Sequence, residues 1–425
     1  MGKTSIKIYN IGPIKDIEIV DLKRVNVFIG ASASGKSTIA KIISQAIWCE
    51  KNFITRGDKL DFKEQLIKFH RFSDTYFSEQ SLIEYTSPWT TITFQKSDGI
   101  RLRFKTNYTR REQTKSLYNN LKIQYVPAER NFVTSIPNLE KYNEIYDNVF
   151  SFLQDWQAYK VQYRDIRTCY KVSDIDEMPL QFRTLRDGTQ DYVRVGDTEI
   201  DVELLNSSSG IQSILPLLLV SDEVLNQINA KNKPFSYSEL KNLERIAPKE
   251  LMPIIKELND RSRSVVEDEN FKQVTDGLWN AVGYNGAYNR TFLIIEEPEQ
   301  NIYPVTQRAL IYHLLNRLQD SSSLTITTHS PYILYAFDNA LVAGKVAKSS
   351  KKAGEMLKKE FPKVPALFTA ENVDLWQVEN GSIISLIDLE TGGLGENVFN
   401  DQLGYSVDEM ADLYSILREN EDGNE

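Results

Sequence analysis

The chain has 425 residues, of which 41% are hydrophobic and 26% charged, and it carries a formal net charge of −9. Such a composition fits a soluble globular protein with a sizeable core, and it excludes a uniformly basic nucleic-acid binder. No apolar run reaches the ~18 residues of a membrane span. Met1-Gly2-Lys3-Thr4-Ser5 lacks the apolar stretch of a signal peptide, and Ile6 stands where myristoylation of Gly2 needs a hydroxyl. The only two cysteines, Cys49 and Cys169, rule out a disulfide scaffold or a cysteine zinc site. They point to a reducing, cytoplasmic setting away from membranes.

Taken in chain order, Ile6–Tyr9 and Ile17–Val20 alternate as a pair of strands around the turn Asn10-Ile11-Gly12-Pro13. Arg24–Ile29 reads as the next strand, and a helix starts at Thr38. Residues 39–85 read as polar helix. Thr90–Gln95 and Leu102–Lys105 form a hairpin around Ser97-Asp98-Gly99, and Ile123–Val126 is a strand stopped by Pro127. Residues 135–170 have helical spacing and suggest an inserted arm; strands return at Tyr192–Val195 and Glu199–Val202. A helix runs from Ile211, and 222–280 reads as charged helix. Thr291–Ile295 and Leu324–Thr328 are continuous apolar runs of the kind buried parallel strands show, and Asp374–Val378 and Ser382–Leu386 finish the sheet.

Between the strand at Arg24–Ile29 and its helix stands Gly30-Ala31-Ser32-Ala33-Ser34-Gly35-Lys36-Ser37-Thr38, which is G-x-x-x-x-G-K-[ST]. The glycines let backbone N–H groups close on phosphates, Lys36 supplies a point charge, and Ser37 offers a hydroxyl to Mg²⁺. The strand Thr291–Ile295 ends in Glu296-Glu297-Pro298-Glu299. Strand alternation would send Glu296 to the metal shell and Glu297 toward an attacking water. His329 is the one histidine of three at the carboxyl end of an apolar strand, where open α/β sheets hold ligands; His70 and His313 read as surface or packing residues. Asn206-Ser207-Ser208-Ser209-Gly210 opens a helix, as a plain serine cap or as an anion site.

The order of these motifs resembles an ABC-type ATPase of the branch containing RecF, the chromosome-maintenance ATPases and the OLD-like ATPases. It resembles in particular the OLD-like "AAA family" ATPases of bacterial anti-phage defence loci. The segments that carry this are Ile11–Lys15, the P-loop, Tyr125–Arg130, Ser208–Gln212, Glu296–Pro304 and Thr327–Tyr332. The resemblance implies an α/β fold: a P-loop NTPase with an ABC-type head, combining a mixed central sheet, an antiparallel β subdomain and helical insertions. It implies a first lobe over 1–130, a helical insertion over 131–190 and a second lobe over 191–425 with an insertion at about 222–285. ATP and Mg²⁺ would be the cofactors, with Lys36, Glu297 as base and His329 as switch residue in catalysis. Residues Gly30 to Thr38 would hold nucleotide, and Ser37 and Glu296 the metal. Ser208 and Gly210 resemble the signature motif that reaches a γ-phosphate held by a second subunit, and Asn301 falls in the loop that meets that subunit. Gln95 and Gln124 both stand as Q-loop candidates.

The resemblance therefore implies a homo-oligomer, at least a dimer across ATP. Only 96 residues follow His329 and they hold no Asp-x-Asp, so the TOPRIM nuclease of full-length OLD proteins is missing and a nuclease or toxin would be a separate effector protein. The loop lacks the usual Asn-Gly, and the signature departs from Ser-Gly-Gly-Gln. Other functions stay open: a RecF-like DNA-repair ATPase, or a scaffold that binds nucleotide without turning it over. The 88 residues from Ser208 to Glu296 argue against a transporter subunit, whose signature lies close upstream. The lysines from Lys345 to Lys363 read either as a nucleic-acid contact or, better, as a solvated helix face.

Overall fold

The computed structural model describes residues 3–57, 60–96, 99–104, 118, 120–135, 147–164, 169–175, 178–185, 190–196, 198–228, 253, 288–388 and 390–422. In chain order, β1 (Ser5–Ile11) and β2 (Ile14–Ile19) precede β3 (Val25–Ile29), α1 (Lys36–Arg56) and α2 (Phe62–Lys68). Next come β4 (Phe77–Thr86), β5 (Thr90–Gln95), β6 (Gly99–Phe104), β7 (Leu121–Val126) and α3 (Asn148–Lys160). They are followed by β8 (Tyr170–Val172), β9 (Leu180–Thr184), β10 (Asp191–Val195), β11 (Val202–Glu203) and α4 (Ser209–Asn226). The last part runs β12 (Arg290–Glu296), α5 (Pro304–Arg317), β13 (Ser322–Thr328), α6 (Pro331–Ser349) and α7 (Lys351–Glu360). It closes with β14 (Val373–Glu379), β15 (Ser382–Ser385) and α8 (Val398–Asp422).

The central sheet has the order β15-β14-β3-β13-β12-β7. The five strands from β14 to β7 are parallel, and β15 pairs antiparallel at the β14 edge. A second sheet, β2-β1-β4-β5-β6, is antiparallel throughout, and β11-β10-β9-β8 forms a third. The expected α/β fold, with a mixed central sheet and an antiparallel β subdomain, is the one observed. The central strands are apolar on both faces because both faces are covered. Val25, Val27 and Ile29 of β3, with Leu293 and Ile295 of β12, pack toward α3, α4, α5 and α6. Phe28, Phe292 and Ile294 point the other way, onto α1 and the antiparallel sheet. Each such fully buried side chain contributes about 1.5–3 kcal/mol relative to an exposed one.

Three sequence expectations need correction. Within 39–85, the last nine residues are not helix but β4: Phe77, Ser81, Ile83 and Tyr85 are buried on one face, a period of two concealed among polar neighbours. The helix inside 135–170 is not an arm. Asp147 caps α3, and Phe152, Trp156 and Tyr159 bury completely beneath β7, so aromatic content built core there. The span 131–190 also carries strands β8 and β9. The strand expected at Glu199–Val202 is reduced to Val202–Glu203, with Ile200 exposed. The helical expectation for 222–285 falls almost wholly outside the described residues; α4 covers its start, to Asn226. Among the described residues no helix is long and apolar enough to cross a membrane.

Candidate functional site

The parallel strands all deliver their carboxyl ends to one edge, and the residues expected to do chemistry gather there. β3 ends at Ile29, just before Gly30, and α1 opens at Lys36, with Gly35 as its N-cap at φ +110. Neither glycine could carry a side chain. A Cβ on Gly30 would stand 2.4 Å from the Val378 carbonyl oxygen, and one on Gly35 2.4 Å from Ile14 Cδ1. The loop is thus a tight backbone cradle held between β14 and the β1–β2 turn. Ala31, Ser32 and Ala33 are exposed on its rim, with Ala33 in the left-handed region at φ +61. A cavity of about 450 Å³ opens beside it, lined by Gly30 to Ser34, Pro13, Lys15 and the β14–β15 turn.

Lys36 is buried, and its Nζ donates to the carbonyls of Ala31 at 2.7 Å and Gly30 at 3.0 Å. Burial pulls its ammonium down to about 8, with Glu297 and Glu299 opposing the fall. Nζ also lies 3.4 Å from His329 Nδ1. An ammonium can only donate, so in this contact Nδ1 is the acceptor and Nε2 is the ring nitrogen left to donate. That Nε2 faces Glu297 Oε1 at 3.3 Å. Gln300 Nε2 donates to the other Glu297 oxygen at 3.1 Å. Lys36, His329 and Glu297, from three separate stretches of the chain, form one connected row.

The two adjacent glutamates part company. Glu296 is the last residue of β12 and shares the side of Phe292 and Ile294, toward α1. Tyr125 donates its hydroxyl to Glu296 Oε1 at 2.5 Å, and Lys41 Nζ lies 3.9 Å from the same oxygen. Ser37 is one helical turn before Lys41, so both occupy the α1 face that meets Glu296. Glu297 leaves the strand at φ +43, a conformation that costs a non-glycine residue about 1–2 kcal/mol.

Arg130 holds that bend. It is completely buried, and it donates to the carbonyls of Glu296 at 2.9 Å, Glu297 at 2.8 Å and Ser213 at 3.2 Å. Burial lowers its guanidinium to about 10, so it stays charged at neutral pH. Glu299 accepts from the His329 backbone N–H at 2.6 Å and fixes where β13 ends; burial holds its carboxyl above the ordinary range.

Ser208 and Gly210 lie apart from this row, at the exposed start of α4. Ser208 caps the helix by accepting from Ile211 N, and a Cβ on Gly210 would stand 2.7 Å from the Asn301 carbonyl oxygen. The signature-like turn and the Asn301 loop, itself left-handed at φ +59, are therefore packed together. Neither Q-loop candidate reaches the site. Gln95 is exposed at the end of β5, and Gln124 is buried with its amide on Asp155 at 3.0 Å. Both spare histidines prove to be buried packing residues. His70 stacks edge-on against Tyr125, and His313 bridges Asp174 at 2.7 Å and Asp222 at 2.9 Å. The lysine cluster is solvated: Lys348 pairs with Glu371 at 2.8 Å and Lys359 with Glu360 at 3.7 Å.

Sequence reasoning missed Arg130, Tyr125, Lys41, Glu299 and Gln300 as parts of the site. Arg130 and Tyr125 carried a signal, since they flank the carboxyl end of an apolar strand ending at Pro127.

No family model and no curated protein matches the chain. Among solved structures it is similar to an SMC head domain from Thermotoga maritima, at 9% identity and a TM-score of 0.37, over 91% of this chain and 99% of that one. It is similar to the recombination mediator protein RecF of the RecFOR pathway at 12% identity and a TM-score of 0.31, over 90% and 98%. An ATP-binding cassette of an ABC transporter in its ADP conformation aligns at 10% identity and a TM-score of 0.30, over 90% of each chain.

Proposed function

We propose that the chain is an ATP-hydrolysing ABC-type ATPase that closes on a second copy around ATP and serves as a sensor for a separate effector. The observation that carries the proposal is the row Lys36–His329–Glu297 set against a loop in which Gly30 and Gly35 have no room for a Cβ. The donor set fits a nucleotide phosphate with Mg²⁺: a backbone cradle and an ammonium for the phosphates, and hard oxygens on Ser37 and Glu296 for the metal. Bound Mg²⁺ would neutralise phosphate charge at that position.

The chain's own residues then divide the work. Lys36 exchanges its loop carbonyls for phosphate oxygens. Glu297, both of whose oxygens are already oriented, accepts a proton from the attacking water. His329 couples the two, because its Nε2 faces Glu297 and its Nδ1 faces Lys36. Ser208, exposed, and Gly210, half-buried against the Asn301 loop, would reach the second copy's nucleotide. The motif run Glu296–Pro304 supports the OLD-like, anti-phage assignment, and the two free cysteines support a cytoplasmic one. The test is steady-state ATP turnover by purified Lys36→Ala and Glu297→Gln variants. Both should lose it, and Glu297→Gln should accumulate an ATP-bound dimer. Undiminished turnover in both would sink the mechanism.

A further inference from the structure

At the carboxyl end of the central sheet one hydrogen bond changes partner. β12 and β13 are parallel neighbours, and their last regular rung is the Glu297 N–H on the Thr327 carbonyl at 2.8 Å. In a ladder that continued, the His329 N–H would donate to the Glu297 carbonyl. The left-handed turn at Glu297 takes that acceptor away. Its carbonyl instead accepts from the Arg130 guanidinium at 2.8 Å and from the Gln300 N–H at 3.2 Å. A side chain fills the empty rung: Glu299 Oε1 accepts from the His329 N–H at 2.6 Å.

The rest of this carboxyl has little else to do. Among the described residues its Oε2 is buried and has no hydrogen-bond partner. Burial outweighs the hydrogen bonds it accepts and holds it above the ordinary carboxylate range. What His329 draws on is therefore an acceptor oxygen, which a neutral group supplies as well as a charged one. The next residue is held separately. Ser330 donates its hydroxyl to Gln307 Oε1 in the first turn of α5, and Gln307 Nε2 donates to the Ile302 carbonyl at 2.9 Å. Loss of the Glu299 bond thus frees the backbone at His329 while Ser330 still caps α6. Both ring contacts of His329, at 3.4 Å to Lys36 and 3.3 Å to Glu297, are already long, so a backbone shift of about 1 Å breaks them.

We infer that Glu299 is a positioning residue for hydrolysis: its Oε1 replaces the missing strand partner and holds His329 where the ring spans Lys36 and Glu297. The inference rests on the ATPase reading above. Glu299 acts through the histidine, and the part of it that matters is reach and an acceptor atom, not charge.

The test is made on the full chain with Glu299→Gln, Glu299→Asp and Glu299→Ala. Glutamine keeps the acceptor at the same reach, so its kcat should stay within about threefold of wild type. Aspartate keeps the charge but is one carbon short, and alanine has no acceptor. Both should lose about tenfold or more in kcat, with KM for ATP moved by less than about threefold. If the alanine variant does not fold, the glutamine–aspartate contrast still decides. A second readout needs no turnover. The chain has only three histidines, so ring-¹⁵N histidine spectra are simple, and a His329→Gln spectrum assigns the third signal pair. The His329 ring signals should move in the aspartate and alanine variants and stay in place in the glutamine variant. Undiminished turnover in Lys36→Ala and Glu297→Gln would sink the ATPase reading, whereas the ring signals test Glu299 by themselves. Unmoved ring signals in the aspartate and alanine variants overturn the inference. So does a glutamine variant as slow as the aspartate one, which would make charge the active feature, and so does a rise in KM with kcat unchanged.

Discussion

Replacing Arg130 with methionine should separate hydrolysis from nucleotide binding. The guanidinium is completely buried and makes three good charged bonds, at 2.8, 2.9 and 3.2 Å, to the carbonyls of Glu297, Glu296 and Ser213. Charged hydrogen bonds contribute about 1.5–3 kcal/mol each, so about 4.5–9 kcal/mol is lost. Burial of the charge, visible as the fall from 12.5 to about 10, costs about 3 kcal/mol, and removal of the charge relieves it. The net destabilisation is therefore about 1.5–6 kcal/mol, read as the shift of the first urea transition. Arg130→Lys keeps the charge but lacks the fork that spans two carbonyls, so it should fall between. The functional consequence is larger and more selective. Without the clamp the φ +43 bend at Glu297 is no longer held, and its carboxylate swings away from His329. Turnover should drop by about 100-fold or more, the scale of a misplaced catalytic group, while a fluorescent ATP analogue still binds the P-loop. A folded Arg130→Met protein with turnover within threefold of wild type would refute the claim that this arginine sets the base.

Glu297→Gly should be at least as stable as Glu297→Gln, because glycine occupies φ +43 without the ~1 kcal/mol steric cost, yet both should be inactive; a glycine variant markedly less stable in urea counts against a strained base. Gly30→Ala should destabilise by about 1–3 kcal/mol, since β14 must retreat from a Cβ 2.4 Å from the Val378 oxygen, and it should abolish binding of the ATP analogue. Wild type minus His313→Gln stability should depend on pH. Burial alone would lower the His313 imidazolium, but hydrogen bonds to Asp174 and Asp222 outweigh it and leave its value raised. That stabilisation is complete below the unfolded value near 6.5 and is lost as pH rises through the higher folded one. A difference that grows from pH 6 to 9 would contradict the assignment.

How much of this was legible in the sequence depended on how local the signal was. Thr291–Ile295 and Leu324–Thr328 announced themselves as continuous apolar runs because both faces of their sheet are covered, and Arg24–Ile29 as a β-branched strand. Once those three strands are parallel neighbours, Lys36, Glu297 and His329 must share an edge, and no further information was needed to bring them together. β4 was hidden because only alternate residues of a polar stretch are buried. α3 looked like an arm because its aromatic residues could face either solvent contacts or core, and only the sheet above it decides. Arg130 was invisible as a clamp because its acceptors lie 166 and 167 residues away and are backbone carbonyls, which no motif spells.

The pair Glu296-Glu297 shows why motif order outperforms motif geometry as a guide. Strand alternation alone would place two adjacent side chains on opposite faces of β12, one against α1 and one against the α4–α5 layer. A carboxylate on that second face would sit in an apolar core, at a prohibitive desolvation cost. The chain avoids it within one residue. The Glu297 N–H still pairs with the Thr327 carbonyl at 2.8 Å, so the ladder is intact up to that atom. The left-handed turn comes immediately after, and it lifts the carboxylate over the sheet edge to His329 instead of down into the core. The same turn exposes two carbonyls on the inner side, and those are the ones Arg130 satisfies. Buried cation, strained residue and oriented carboxylate are thus one device, and a substitution at any of the three should be felt at the other two.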